Sequence, residues 1–171
     1  ESNPQWRVFR MTNRVDSQQH DVEGTTWVVS TPDGTRYEFG GDSFAGNAGV
    51  FQATNAVGYG WAANSPVSGP ACVTQSGDTL CPVATKWLLN RIVDISGNAG
   101  IFVYVQDLNW YQPPGWTSRL EYTRDVRLVR MDLGGVENTN NSTSKYAVTG
   151  ANVQLYFDWP ERPTSQVPTD L

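Results

Sequence analysis

Apolar and polar residues alternate over short stretches along most of this chain, and a period of two marks strands with one covered face. WRVFR (6–10) alternates in this way. TWVVST (26–31) runs through Pro32-Asp33-Gly34 into TRYEFG (35–40), placing Tyr37 and Phe39 on one face and Arg36 and Glu38 on the other. Proline presets φ and glycine accepts positive φ, so this is a hairpin turn. KWLLNRIVDI (86–95), the tight turn SGN (96–98) and AGIFVYVQD (99–107) repeat the scheme. The near-continuous apolar run Ile101–Val105 predicts a central strand buried on both faces. RLEYTR (119–124) and VRLVRMDLG (126–134) follow, and the broken alternation of Val126, Leu128, Val129 and Met131 predicts a bulge. YAVTGANVQLYFDW (146–159) supplies one long strand or two short ones.

Eight or nine strands and no helical segment predict an all-β fold, with antiparallel hairpins forming a β-sandwich or a slab of a larger β-shell. One domain is expected over residues 1–160, followed by a Pro-rich exit segment or linker at 161–171. Within the domain, 41–85 is a low-charge insertion without clear periodicity, the length at which a loop is usually functional or a lid. The expected core is Trp27, Tyr37, Phe39, Trp87, Ile101, Phe102 and Tyr104, with Asp33-Gly34 and Gly97-Asn98 setting the register.

Composition sharpens this picture in two ways. Seven Trp, seven Tyr and six Phe in 171 residues make large rings a main source of apolar mass. A net charge of −5, with no run of like charge, disfavours a phosphate backbone as partner. No apolar stretch is long enough for a membrane span. The chain opens at Glu1, which reads as an excised or processed segment.

Chemistry-bearing residues are sparse. Cys72 and Cys81 are the only cysteines and His20 the only histidine, too few for a zinc site. A disulfide closing CVTQSGDTLC is favoured over two free thiols and would imply an oxidising setting. His20, in the polar stretch NRVDSQQHDVEG, reads as solvated, and one histidine offers hydrolase chemistry a single base. Asp94, Asp107, Glu121 and Asp132 could include a facing acid pair, but scattered surface acids are the simpler expectation. Asp94-x-Ser96-x-Asn98 has oxygen side chains at alternate positions, as a calcium loop does, yet it lacks the downstream acid and reads as a turn. No cofactor or metal is expected. Asn140 and Asn141 satisfy Asn-x-Ser/Thr and indicate an exposed loop.

The candidate ligand-binding residues are loop aromatics: Tyr59 and Trp61 in the insertion, and Trp110, Tyr111 and Trp116 around Pro113-Pro114. Such rings pack within a fold, fill protein interfaces, or stack on sugars while neighbouring amides and acids bond hydroxyl groups.

In order, WVVSTPDGTRYEFG, KWLLNRIVDISGNAGIFVYV, LEYTRDVRLVRMD and NVQLYFDWPERP resemble the region preceding the repeats in Rhs/YD-repeat proteins, with related segments in Tc-toxin shell subunits. The resembling positions are Trp27, Pro32, Asp33, Gly34, Thr35, Tyr37, Phe39, Gly40, Trp87, Arg91, Asp94, Gly97, Asn98, Tyr104, Glu121, Tyr122, Thr123, Val153, Phe157 and Arg162. The likeness runs from Trp6 to Arg162. Secreted members from Gram-positive and related environmental bacteria also carry a two-cysteine, Gly/Ser-rich insertion. Two features depart: Gly97-Asn98-Ala99-Gly100-Ile101-Phe102 carries a one-residue shift or bulge, and no YD repeats follow.

The resemblance implies an extracellular or cell-surface, non-enzymatic scaffold. It would present other parts of the same polypeptide or a partner protein, and no catalytic residues are implied. The alternative is a carbohydrate-binding or adhesin module that uses the loop aromatics on a glycan.

Overall fold

The computed structural model describes residues 6–11, 26–40, 56–63, 72–137 and 148–159. Among them all regular structure is β, and every strand pair is antiparallel. The larger sheet has eight strands: β1 (Arg7–Met11), β2 (Thr26–Ser30), β3 (Arg36–Gly40), β7 (Leu89–Val93), β8 (Asn98–Tyr111), β9 (Leu120–Glu137), and β10 (Val148–Thr149) and β11 (Val153–Tyr156), which both pair with β9. The smaller sheet has the order β4 (Val57–Ala63), β6 (Asp78–Trp87), β5 (Val73–Gln75).

The two predicted hairpin turns share one geometry. Thr31 N donates to Thr35 O and Gly34 N to Thr31 O, while Asp94 N donates to Asn98 O and Gly97 N to Asp94 O. In each, a three-residue loop ends on a glycine at positive φ, 88° at Gly34 and 85° at Gly97. An aspartate locks each turn: Asp33 accepts from Thr35 N and from the Thr31 and Thr35 hydroxyls, and Asp94 accepts from Ser96 N, Asn98 N and Asn98 Nδ2. The turns sit side by side, because a Cβ on Gly34 would lie 3.0 Å from Ile95 Cδ1.

The insertion is where the structure departs most from the expectation. Residues 41–85 supply β4, β5 and most of β6, so they hold nearly all of the second sheet. Val57, Tyr59 and Trp61 do alternate, but Gly58 and Gly60 between them read as breakers. Those glycines are needed because β6 passes close by: a Cβ would meet Lys86 Cβ at 3.2 Å at one position and Thr85 Cγ2 at 3.0 Å at the other.

The stretch predicted as one strand over 86–95 is split. At Leu88 the chain leaves one sheet for the other, its N–H bonded to Ala56 O and its C=O to Gly40 N. Conversely, the two strands predicted over 119–134 are one, β9, with register shifts opposite Val103/Tyr104 and Asp107/Leu108. The predicted bulge therefore falls at Val129, and the irregularity around Gly100 is a third register shift.

The core is also displaced from the expected set. Buried apolar residues are Val28, Ala56, Val57, Cys81, Val93, Ala99, Trp116 and Leu120. Trp27, Tyr37, Phe39, Ile101, Phe102 and Tyr104 are only half-buried, and Trp87 is exposed; the Ile101–Val105 run expected to be covered on both faces is half-buried as far as Tyr104 and exposed at Val105. Trp27 and Trp87 meet edge to face at 6.2 Å.

The large sheet buries three ionic side chains, Glu38, Arg91 and Asp132, beside Val28, Val93, Ala99 and Leu120. Register aligns Val28, Glu38, Arg91, Ile101 and Asp132 across five strands, and Ser30, Arg36, Val93, Ala99 and Gly135 in the next row. Arg91, 3% exposed, donates from Nη2 at 2.8 Å to both oxygens of Glu38, 5% exposed. Arg36 bonds Glu38 at 2.8 Å and reaches Glu137 at 2.5 Å. β3 and β9 stand three inter-strand steps apart, about 14 Å. The bridge crosses them because the row beneath, Val93, Ala99 and Gly135, is small. Burial alone would lower the Arg36 pKa, but its hydrogen bond to Glu38 and the charges of Glu38 and Glu137 outweigh that and raise it. Arg130 and Asp132 add a second pair at 2.9 Å on the same face.

Candidate functional site

The structure gathers most of the loop aromatics at one end of the molecule, where the small sheet meets the far ends of β8 and β9. Tyr59 N donates to Thr123 Oγ1 at 3.0 Å, and Gln106 Nε2 donates to Val57 O at 2.5 Å. Beside them, Trp61 Nε1 donates to Glu121 O at 2.6 Å. The β5–β6 turn, Ser76-Gly77, reaches the 112–118 loop: Ser76 Oγ donates to Gly115 O, and Gln75 Nε2 to Thr117 Oγ1. The pair Cys72–Cys81 is disulfide-bonded and ties β6 to the residue preceding β5, opposite Ala62 of β4. The disulfide is compatible with an oxidising compartment.

The five candidates differ in what they offer. Trp110 is 51% exposed and lies directly opposite Glu121 in the ladder. Tyr111 is exposed at its rim and meets Tyr122 edge to face at 5.9 Å. Tyr59 and Trp61 are half-buried on β4. Trp116 is the exception: at 4% exposed it belongs to the core, because the 112–118 loop folds over it, with Trp116 N bonded to Pro113 O. It presents no ring face to a ligand. Tyr122 and Glu121 join this end without having been singled out as ring neighbours; the signal was available in the antiparallel register of β8 against β9.

The acids considered as a catalytic pair are each used otherwise or set apart. Asp94 closes its turn, Asp107 binds Arg124 at 2.6 Å and Asp132 binds Arg130. Asp33 and Asp94 are held below the usual carboxylate pKa, chiefly by the Thr31 hydroxyl for the first and the Asn98 side chain for the second. Those donors explain the Asp94-x-Ser96-x-Asn98 spacing as a turn, and no group of three metal-ligating side chains exists among the described residues. His20, Asn140, Asn141 and the 161–171 segment lie outside the described residues.

A second feature is larger. Among the described residues, fifteen large hydrophobic side chains are exposed while eight apolar residues are buried. Eight of the fifteen lie at the two outer strands of the large sheet: Trp6, Val8 and Phe9 at β1, and Val153, Leu155, Tyr156, Phe157 and Trp159 at and after β11. Two rows on the face opposite the ionic ones are apolar. Val29, Tyr37 and Ile92 form one row, Phe102, Met131 and Leu155 another, and each of these side chains is half-buried or exposed. No helix among the described residues is long and apolar enough to cross a membrane. Comparison with family models, with curated proteins and with solved structures gives no match for this chain.

Proposed function

We propose that this chain is a non-enzymatic structural and interaction segment of a secreted or cell-surface β-rich protein of the Rhs/YD-repeat type. The observation that carries the reading is the reversed allocation of its large sheet. Glu38, Arg91 and Asp132 are buried on one face beside Val28, Val93 and Ala99, while large apolar side chains are left at both outer strands and on the opposite face. Exposed large apolar side chains gathered in this way are characteristic of surfaces that meet a partner, and aromatic ones are enriched where that partner is another protein. Outer strands also offer unpaired backbone groups to a further strand. The ordered hairpin motifs, with their matching Asp-locked turns, support the family assignment. The disulfide supports an extracytoplasmic setting.

Amide hydrogen exchange tests this. The 171-residue chain is compared alone and within the larger polypeptide that this reading calls for. Amides of β1 and β11 should exchange fast in the first and become protected in the second. Unchanged exchange at both strands would refute a scaffold role for this surface.

A further inference from the structure

The junction of the small sheet with β8 and β9 carries a binding platform in addition to the proposed contact surface. Thr123 Oγ1 accepts a hydrogen bond from Tyr59 N, so β4 passes on the face of β9 that bears Thr123 and, two residues earlier, Glu121. Trp61 sits two residues beyond Tyr59 and reaches Glu121 O with its indole N–H. That carbonyl points away from β8, and Trp110 N is bonded to the Asn109 side chain instead of to β9. Trp110 and Glu121 are therefore a non-hydrogen-bonded pair, the kind whose side chains stand closest. Glu121 is thus flanked by two indoles, Trp110 across the ladder and Trp61 at its backbone carbonyl. The span is about two strand spacings, roughly 10 Å.

The only polar atom of the Trp61 indole is already bonded to Glu121 O, so its remaining capacity is its π face, and half of Trp110 is open to solvent. The described ring pairs are Trp27–Trp87 and Tyr111–Tyr122, so neither indole is spent on another ring. Glu121 is exposed, and its carboxylate makes no ion pair or hydrogen bond among the described residues.

We propose that Trp61, Glu121 and Trp110 bind a neutral β-linked gluco-configured oligosaccharide. Equatorial substituents leave axial C–H groups on both faces of such a sugar ring, matching flat apolar indoles, while the carboxylate accepts hydroxyl protons. The separation of the rings suits an extended ligand of about two sugar units better than a compact cation, which needs rings converging on one point. The uncompensated carboxylate and the net charge of −5 disfavour acidic glycans.

Calorimetric titration of the folded chain with cellohexaose tests the site, with tetramethylammonium as the cation probe. Cellohexaose should bind in the millimolar range or tighter. Trp110→Ala should weaken it about tenfold, equivalent to roughly 1.4 kcal/mol. Glu121→Gln should weaken it less. Trp159→Ala removes another exposed indole that donates to a backbone carbonyl, Leu128 O, and should leave binding unchanged. Trp61→Ala removes both the ring and the bond to Glu121 O that helps seat the small sheet, whereas Trp61→Phe loses the bond and keeps an aromatic face, so Trp61→Phe should retain most of the affinity. Absence of cellohexaose binding, binding indifferent to Trp110→Ala, or binding of tetramethylammonium alone would each overturn the proposal.

Discussion

The two faces of the eight-stranded sheet invert the usual relation between polarity and burial. On one, Glu38, Arg91 and Asp132 lie buried beside Val28 and Val93. On the other, Tyr37, Ile92, Phe102, Met131 and Leu155 remain partly or fully accessible. The difference teaches that hydrophobic burial alone does not set this register. Two arginines and two glutamates, self-neutralising and bonded across β3, β7 and β9, form a lid over a floor of small residues. That lid works only when the strands are in one register. The apolar face, free of that task, is available to whatever lies next to it.

The largest effect should come from breaking the ionic face. Glu38→Ala removes the carboxylate that both Arg91 and Arg36 bond, and should cost about 3 kcal/mol in denaturant unfolding, the lower end for a broken buried pair. Replacing Glu38 and Arg91 together by leucine should recover most of that loss. If the double variant is as unstable as the single one, the ionic row is not a coupled unit.

Next in size is the disulfide. Cys72→Ser with Cys81→Ser should cost about 2–3 kcal/mol. Hydrogen exchange should show the loss confined to β4, β5 and β6, with β7 to β9 unaffected.

The acid limb is smaller. Asp33 and Asp94 have folded pKa values below their unfolded ones. Their contribution is therefore complete above the unfolded carboxylate range, near pH 4, and is lost as pH falls through the lower folded values. Asp94→Asn should flatten the fall of Tm with acid and lower Tm at neutral pH.

Smallest is the apolar face itself. Leu155→Thr should change the stability of the isolated chain by less than about 0.5 kcal/mol, although the same change in a packed core would cost several times more.

The turns and most strand positions were legible in the sequence because Pro32-Asp33-Gly34 and Ser96-Gly97-Asn98 are local devices, and Tyr37 and Phe39 alternate with charges. The bulge at Val129 was legible for the same reason: it interrupts a period. The core was not. Alternation says which residues share a face and is silent on which face is covered, so the aromatic side was taken for the interior. The small sheet was hidden because Gly58 and Gly60 serve close approach to β6, a tertiary need with the local appearance of a break. At the candidate site, the ring types were visible. Their grouping around Glu121, and the burial of Trp116 away from it, depended on strand pairing between residues far apart in sequence.

Hydroxyl-radical footprinting of side chains measures the inversion most directly. In the isolated chain, Tyr37, Phe102, Met131 and Leu155 should be modified readily while Val28 and Val93 are spared. When the chain is part of the larger polypeptide that the proposed function calls for, the first group should become protected. Equal protection of both groups in the isolated chain, or undiminished modification of the apolar face within such a polypeptide, would contradict the account.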